Sequence, residues 1–485
     1  MKNKMTRRKF TETIIQGMTV ATLCPFINCA DNSSGKKEHP NIVLILMDDL
    51  GWPSLGCYGN QDVPTPHLDQ LASEGLRFTD AYVTPQCTPT RASLLTGQYT
   101  ARNGLWHVLP RYGYPFAAVE EPEFAENLSP ETALLSRVLH ENGYATACIG
   151  KWHLHSATDG DYERLYPEAA ARYGFDHVLP DDQTRGCHKG EDECVDYLID
   201  ESIKFIEKNQ SRPFFVYLPH YAVHRKVRAP QDLVQKYRER GYPEKGVKNA
   251  TYLAAIEHFD RAIGRLLTRL DELRLTENTV VIFLSDNGGV MAEFPNTPLR
   301  YGKGTIYEGG IRVPFILRWP GHVAAGKTCS EPVHVVDLFP TLAALSNSKI
   351  PENHVLDGVD LAPLFSGEGT LARDAIFTYA PLYDHLWGAT PGATIRQGNY
   401  KLIEFFGDYV DLENNATYIP EGRLELYDLS QDLGEQENLA VKMPELTAKL
   451  RQQLHEWIRS TGAVIPGRNP DYDPARVMEK RRGAR

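Results

Sequence analysis

The chain has 485 residues, of which 42% are hydrophobic, and its 52 Lys and Arg residues against 63 Asp and Glu residues give a net charge of -11. This length and apolar content suffice for a large buried core, and the acidic balance argues against broad nucleic-acid binding. Because no run of 18 or more apolar residues occurs, we expect no membrane-spanning helix in the body of the chain.

The N-terminal segment has the composition of a targeting signal. The residues Thr6–Phe10 (TRRKF) and the moderately apolar stretch Ile14–Leu23 are typical of a twin-arginine export signal, and Cys29 is a candidate for lipid attachment. An ordinary amphipathic helix is the alternative. We predict an export signal over residues 1–30 and a linker over 31–39, hence a bacterial protein that is periplasmic or lipid-anchored at the cell surface.

Four continuous apolar runs end abruptly in polar residues. Runs that are apolar on both faces suit the strands of a mainly parallel sheet between helices, and the helical patterns Glu131–Glu141 and Thr251–Leu273 lie between them. Ligands of such sheets bind beyond the carboxyl ends of the strands, so we expect the polar residues to meet in one crevice. The runs and the residues that follow them are Asn41–Met47 before Asp48 and Asp49, Tyr144–Gly150 before Lys151 and His153, Pro213–Leu218 before His220 and His224, and Thr279–Ser285 before Asp286 and Asn287.

The acidic residues of this crevice indicate a metal site. The carboxylates of Asp48, Asp49 and Asp286, with the amide oxygen of Asn287, form an all-oxygen set that a hard cation such as Ca²⁺ or Mg²⁺ prefers. Converging carboxylates without a cation would repel one another and force a proton onto at least one of them. Taken singly, Asp48-Asp49 is better explained by a helix cap or a solvated turn, and Asp286-Asn287 with the two glycines after it by a tight turn; together with Cys87, the metal site is the preferred interpretation.

The segment 87–97 (CTPTRASLLTG) predicts a short helix with a cysteine at its beginning. We expect Thr88 at the N-cap, Pro89 at the first helical position and Gly97 at the C-terminal end. Cys87 would then lie where the helix dipole favours an anion, and Arg91 could lean back over the same point.

The pattern Cys-x-Pro-x-Arg followed by Ser-Leu-Leu-Thr-Gly resembles the type I sulfatases, relatives of arylsulfatase and alkaline phosphatase. The resemblance implies that Cys87 is oxidised to formylglycine by a formylglycine-generating or anaerobic maturation enzyme, and that the hydrated aldehyde attacks sulfur. It also implies one divalent cation, Ca²⁺ before Mg²⁺. The implied metal ligands are Asp48, Asp49, Cys87, Asp286 and Asn287.

The resemblance further implies a set of cationic residues around the bound sulfate, where they would stabilise the transition state. Their members are Arg91, Lys151, His153, His224 and Lys303, the last in the segment Tyr301–Pro314. In the implied reaction Asp286 takes the proton of the attacking hydroxyl, His224 or Lys303 protonates the leaving alcohol, and His153 removes the second hydroxyl proton. His220, His107 and Arg111 are predicted substrate contacts.

The C-terminal part changes character after the glycine-bounded stretch 358–369. Ala393–Glu404 and Leu424–Leu429 predict strands of a small antiparallel sheet, and Pro444–Ser460 predicts a helix with one apolar stripe. This part also resembles the sulfatase C-terminal subdomain, and the resemblance spans about residues 40–460. We therefore predict an α/β fold with a large alkaline-phosphatase-like domain over 40–370, its mainly parallel sheet lying between helices, and a C-terminal subdomain over 371–485 with an antiparallel sheet and a helix.

The predicted activity is hydrolysis of sulfate monoesters on sulfated carbohydrates, such as glycosaminoglycan or algal polysaccharide fragments. A phosphomonoesterase or phosphodiesterase of the same superfamily, with Thr88 or Thr90 as nucleophile and two zinc ions, is disfavoured by Asn287, where zinc pairs usually have a histidine. A non-catalytic glycan-binding relative is the third reading. Cys187 and Cys194 could form a disulfide or remain free thiols.

Overall fold

A computed structural model describes residues 39–110, 113–155, 163–179, 191–407 and 422–480. The predicted export signal, nearly all of the linker, Arg111 and Cys187 lie outside the described residues. Cys194 is disulfide-bonded. Residues 37–485 form one compact unit, so the division near residue 370 stays a prediction. None of the helices in the described ranges has the length and apolarity to cross a membrane.

The strands and helices are numbered in chain order among the described residues. The strands are β1 (Asn41–Met47), β2 (Leu76–Tyr82), β3 (Ala145–Cys148), β4 (His177–Val178), β5 (Phe214–Pro219), β6 (Thr279–Ser285), β7 (Arg312–Arg318), β8 (Lys327–Cys329), β9 (Val333–His334), β10 (Ile376–Ala380), β11 (Gly392–Gln397), β12 (Tyr400–Phe405) and β13 (Arg423–Asp428). The α-helices are α1 (Pro66–Ser73), α2 (Cys87–Thr96), α3 (Thr100–Asn103), α4 (Leu135–Glu141), α5 (Pro167–Ala170), α6 (Val195–Asn209), α7 (Gln231–Glu239), α8 (Ala250–Glu272), α9 (Glu308–Ile311), α10 (Leu338–Leu345) and α11 (Pro444–Thr461).

The large sheet has the strand order β4-β3-β5-β1-β6-β7-β2-β8, with β9 paired to β2. The strands β4, β3, β5, β1 and β6 pair in parallel, and β7 runs antiparallel to both β6 and β2. The second sheet, β10 to β13, is antiparallel throughout. The predicted fold class, a mainly parallel large sheet plus a small antiparallel sheet with a helix, is confirmed.

Both faces of strand β1 are buried, which explains why its sequence is apolar without alternating polar residues. Val43, Ile45 and Met47 face one core, which includes residues of α1, α6, α7 and α8. Ile42 and Leu44, together with Leu46, face the other core, which includes residues of α2, α4 and α10. Because helices cover both faces of the strand, both sets of side chains leave water.

The small sheet has its own apolar core. The helix α11 places Leu450, Leu454 and Ile458 in that core at 0% exposure, as the predicted stripe requires. The predicted strands over 393–404 are β11 and β12, joined by a turn at Gly398, whose φ of 58° is left-handed. The predicted helix at 131–141 begins later, at Leu135.

Candidate active site

The carboxyl ends of four neighbouring strands bring the polar residues together. Asp286 N–H donates to the Met47 carbonyl at 3.0 Å, so the ends of β6 and β1 lie side by side. Asp48 N–H reaches the Ala222 carbonyl beyond β5 at 3.0 Å, and Lys151 N–H reaches the Pro219 carbonyl at 2.8 Å. The crevice that the sequence predicted is therefore at the edge shared by β3, β5, β1 and β6.

Helix α2 presents Cys87 to this edge. The helix begins at Cys87 itself with Gln86 at the N-cap, so the predicted N-cap at Thr88 is wrong by two positions. The Thr88 hydroxyl donates instead to the His153 carbonyl at 2.9 Å, which ties the first turn of the helix to the end of β3. Gly97 ends the helix in the left-handed conformation, as expected. Cys87 is 1% exposed.

The Cys87 thiol lies between a carboxylate group and an ammonium group. Its Sγ donates to Asp48 Oδ1 at 3.4 Å, and Lys303 Nζ lies 3.7 Å from the same sulfur. Lys303 Nζ also donates to Asp49 Oδ2 at 2.8 Å. The predicted proton acceptor, Asp286, contacts other groups, and Asp48 is the carboxylate that contacts the thiol.

Arg91 is fully buried and holds the carboxylates in place. Its Nη2 donates to Asp286 Oδ2 at 2.6 Å and to Asp48 Oδ2 at 3.4 Å, and its Nη1 donates to the Lys151 carbonyl at 2.9 Å. The side chain therefore leans toward the strand ends, where it links β1, β3 and β6.

Lys151 forms a second bridge of this kind. Its Nζ lies 2.5 Å from Asp48 Oδ2 and 2.9 Å from Glu163 Oε1. Sequence reasoning missed Glu163, which follows no strand and belongs to no recognised motif, so only the folded chain shows its place beside Lys151.

Burial and charge determine the protonation of this cluster. Burial raises the pKa of Asp286 to about 6 and also raises that of Asp49, and in both cases the nearby Asp48 carboxylate adds to the effect. Burial acts in the same direction on Asp48, but Lys151, His224, Arg91 and Lys303 together hold the pKa of that carboxyl well below its usual range. Burial also raises the pKa of the Cys87 thiol far above its usual value.

Four side chains at this edge could hold a metal ion. Asp48, Asp49, Cys87 and His224 each offer a ligand atom, and these four atoms all lie within 4.8 Å of one another. The carboxylate oxygens suit a hard divalent cation, whereas a thiol and an imidazole suit softer metals. Asn287 Nδ2 donates to Asp49 Oδ1 at 2.8 Å, which leaves its buried Oδ1 without a hydrogen-bond partner in the described part of the chain. An unsatisfied buried acceptor beside two carboxylates is suited to a metal ion.

Asp286 has a different environment from the other predicted ligands. Its Oδ2 accepts two hydrogen bonds from Arg91, and its Oδ1 accepts the backbone N–H of Asp49 at 3.2 Å. Its role as a metal ligand therefore stays a prediction.

The histidines occupy distinct positions. His153 Nε2 lies 2.6 Å from the Leu109 carbonyl, and its buried Nδ1 has no partner among the described residues, so Nδ1 is a free acceptor. The His224 side chain is 27% exposed, with Nε2 3.9 Å from Asp49 Oδ2. His220 is fully buried, and its ring packs edge-on against Phe259 of α8, on the core side.

His107 and the alternative nucleophiles Thr88 and Thr90 contact groups other than the carboxylates of the site. His107 is buried with Nδ1 2.8 Å from the Val108 carbonyl, and its ring packs against Phe124. The Thr90 hydroxyl lies 2.7 Å from that of Thr84. Because the hydroxyls of Thr88 and Thr90 are both engaged away from the carboxylates, neither is presented as a phosphatase nucleophile.

Comparison with known proteins gives a consistent result. The family model "Sulfatase" matches residues 40–348, and the model "N-sulphoglucosamine sulphohydrolase, C-terminal" matches residues 300–460. Human arylsulfatase A is 35% identical over 86% of this chain and 86% of its own length. The N-acetylgalactosamine-6-sulfatase of Canis lupus familiaris is 33% identical over 72% of this chain and 70% of its own length. The crystal structure of Ps i-CgsB in complex with k-i-k-neocarrahexaose superposes with a TM-score of 0.70 at 28% identity, covering 87% of this chain and 93% of that one.

Proposed function

The chain belongs to the sulfatase family and is a sulfuric ester hydrolase, and from this premise we propose that it removes sulfate from carbohydrates with a formylglycine made from Cys87. The observation that carries the proposal is the position of Cys87, at the first residue of α2 and between Asp48 and Lys303. A maturation enzyme would oxidise the thiol to the aldehyde, whose hydrate offers one hydroxyl for attack and one for the later release of sulfate.

A divalent cation, Ca²⁺ before Mg²⁺, would supply Lewis-acid polarisation of the attacking hydroxyl and of the sulfate oxygens. The residues placed to hold it are Asp48, Asp49, the Oδ1 atom of Asn287 and the side chain at position 87. Arg91 and Lys151 hold the two carboxylates Asp48 and Asp286 in fixed positions, so this side of the site is built before substrate arrives.

Lys303, His224 and His153 would carry out the remaining steps of the reaction. Lys303, beside residue 87, would bind a sulfate oxygen and so offset the negative charge of the substrate. His224, whose side chain is 27% exposed, lies beside Asp49, and it or Lys303 would protonate the departing alcohol. The free Nδ1 of His153 can accept the second hydroxyl proton of the formylglycine hydrate, which restores the aldehyde as sulfate leaves.

The carbohydrate part of the proposal rests on similarity. One relative is named N-acetylgalactosamine-6-sulfatase, and one structural neighbour was crystallised in complex with k-i-k-neocarrahexaose. Export through the N-terminal signal, predicted from sequence alone, would bring such an enzyme to polysaccharide fragments outside the cytoplasm.

The direct test is hydrolysis of 4-nitrophenyl sulfate and N-acetylgalactosamine 6-sulfate by protein produced together with a formylglycine-generating enzyme. Cys87→Ala should lower kcat/KM by about 10⁵-fold, since it removes the covalent nucleophile. Cys329→Ala is the matched control, because this free and buried cysteine lies in β8, on the far side of the large sheet. Substantial turnover by Cys87→Ala would refute the nucleophile, and hydrolysis of the aryl ester alone would refute the carbohydrate substrate.

A further inference from the structure

A loop of the small sheet reaches the active site. The residues 384–389, between β10 and β11, form a tight turn in which Asp384 and Ala389 exchange backbone hydrogen bonds of 3.0 and 2.9 Å. Asp384 Oδ2 accepts a hydrogen bond of 3.2 Å from Gln86 Nε2, and Gln86 is the N-cap residue directly before Cys87. The loop is therefore attached to the same helix end that carries the reactive position.

The indole of Trp387 lies beside the Lys303 ammonium group. Lys303 Nζ is 5.2 Å from the ring centroid, and the same Nζ is 3.7 Å from Cys87 Sγ. Gly304, the residue after Lys303, has a φ of 88°, and a Cβ at this position would collide with Trp387 Cβ. The backbone next to Lys303 therefore packs directly against the tryptophan. The ring is thus next to the side chain that we place on a sulfate oxygen.

Trp387 is also within reach of solvent. Its side chain is partly exposed, and the neighbouring Leu386 is 61% exposed. Arg225, which follows His224, has its guanidinium carbon 5.7 Å from the indole centroid, and its side chain is 44% exposed. The ring thus lies between the sulfate-side lysine and the exposed segment after His224, where the alcohol part of a substrate must leave.

An aromatic ring in this position is suited to one kind of partner. The sugar ring of a sulfate ester carries C–H groups on its face, and these pack against the negative face of an indole. Such a contact adds binding energy to the part of the substrate that does not react, whereas the sulfate group is held by the charged residues.

We propose that Trp387 is the platform on which the sugar ring bearing the scissile sulfate stacks, so that a loop of the small sheet determines the substrate class of the active site. The inference rests on the proposed sulfatase function and deepens it. The recognised feature is the pyranose ring of the sulfated sugar residue, in place of an open-chain alcohol.

The test compares Trp387→Ala and Trp387→Phe with wild type on two saccharides, N-acetylgalactosamine 6-sulfate and k-i-k-neocarrahexaose, and measures inhibition by inorganic sulfate in parallel. Trp387→Ala should raise KM for the saccharide about 10-fold, the Phe variant should restore most of the loss, and the Ki of inorganic sulfate should stay within twofold. Leu386→Ala, which removes the adjacent exposed side chain of the same loop, should leave KM unchanged.

Two kinds of result would overturn the proposal. An unchanged KM in Trp387→Ala would show that the ring does not contact the sugar, and a parallel rise of KM and of the Ki for sulfate would show that the indole acts only through Lys303. If wild type cleaves neither saccharide but hydrolyses 4-nitrophenyl sulfate, the platform is wrong whereas the sulfatase activity stands. If wild type hydrolyses no sulfate ester, the proposed function itself fails.

Discussion

Two of the buried clusters of charged residues in the described part of the chain differ in how completely their polar atoms are paired. One is the active site at the carboxyl ends of β1, β3, β5 and β6. The other, which we call the inter-sheet network, joins the large sheet to the small one. Its members are Asp80, Tyr82, Glu308, Arg312, Arg396, Lys401 and Glu435.

The inter-sheet network satisfies its own carboxylates. Glu308 accepts from Lys401 at 2.9 Å with one oxygen, and from Tyr82 at 2.7 Å and Arg312 at 3.1 Å with the other. Glu435 accepts from Lys401 at 2.8 Å and from the Glu308 backbone N–H at 2.7 Å. A buried network with every carboxylate oxygen paired supports the fold and has no need of a ligand.

The active site pairs its carboxylate oxygens as well, but it leaves other buried polar atoms unpaired. Asn287 Oδ1 and His153 Nδ1 are both buried and lack partners in the described ranges. Because an unpaired buried polar atom costs free energy, these atoms indicate where an ion and a substrate complete the structure. The comparison teaches that buried charge alone does not mark a functional cluster, since the inter-sheet network is as charged as the active site and has its carboxylates fully paired.

Among the tests of this comparison, the largest expected effect is on activity, from a change at Asn287. Asn287→Ala removes the free Oδ1 acceptor, so kcat/KM for sulfate ester hydrolysis should fall by at least about 100-fold, and the activating concentration of Ca²⁺ should rise. Asn209→Ala is the matched control, because Asn209 is a buried asparagine at the end of α6, where its side chain bonds the Phe205 carbonyl. Equal activity losses in both variants would remove Asn287 from the proposed ion site.

The next effect is on stability, from a change in the inter-sheet network. Lys401→Met leaves Glu308 and Glu435 buried without their shared cation, so the free energy of unfolding should fall by about 3–5 kcal/mol in urea denaturation. Lys204→Met, which breaks the exposed pair with Glu201, should give no measurable change. A Lys401→Met protein as stable as wild type would show that the network does not hold the two sheets together.

The smallest effect concerns pH. Burial, with the help of Glu308 and against Lys401, raises the pKa of Glu435 to about 7 from its usual 4.5. The folded protein then binds more protons than the unfolded chain between pH 4.5 and 7, so this residue's contribution to stability falls as pH rises through that range. Relative to Glu435→Gln, wild type should lose on the order of 1 kcal/mol of unfolding free energy between pH 5 and 7. Parallel pH profiles of the two proteins would contradict this assignment.

The sequence predicted the elements whose pattern is local. Strands β1 and β6 have the bounds that their apolar runs indicated, and α8 differs from the predicted helix by one residue at each end. The apolar runs predict these strands correctly because both faces of each strand are buried, so that apolar residues follow one another without alternating with polar ones. The meeting of Asp48, Lys151 and Asp286 followed from the same rule for parallel strands.

What the sequence did not predict depends on contacts between distant segments. Glu163 and Trp387 belong to loops without periodicity, and their places beside Lys151 and Lys303 arise only when the sheets are packed. A threonine before a proline is a strong local signal for an N-cap, and for this reason the sequence predicts the cap at Thr88. In the structure the Thr88 hydroxyl instead bonds the His153 carbonyl, and this tertiary contact outweighs the cap. His220 directly follows β5, and the packing of its ring against Phe259 on the core side follows only from the folded chain.

The measurement that bears most directly on the account is the mass of the peptide containing Cys87, taken from protein produced with a formylglycine-generating enzyme and assayed for sulfate ester hydrolysis in the same preparation. We predict that the peptide carries an aldehyde in place of the thiol, and that activity rises in proportion to the converted fraction. Full activity in protein whose Cys87 remains entirely a thiol would contradict the account.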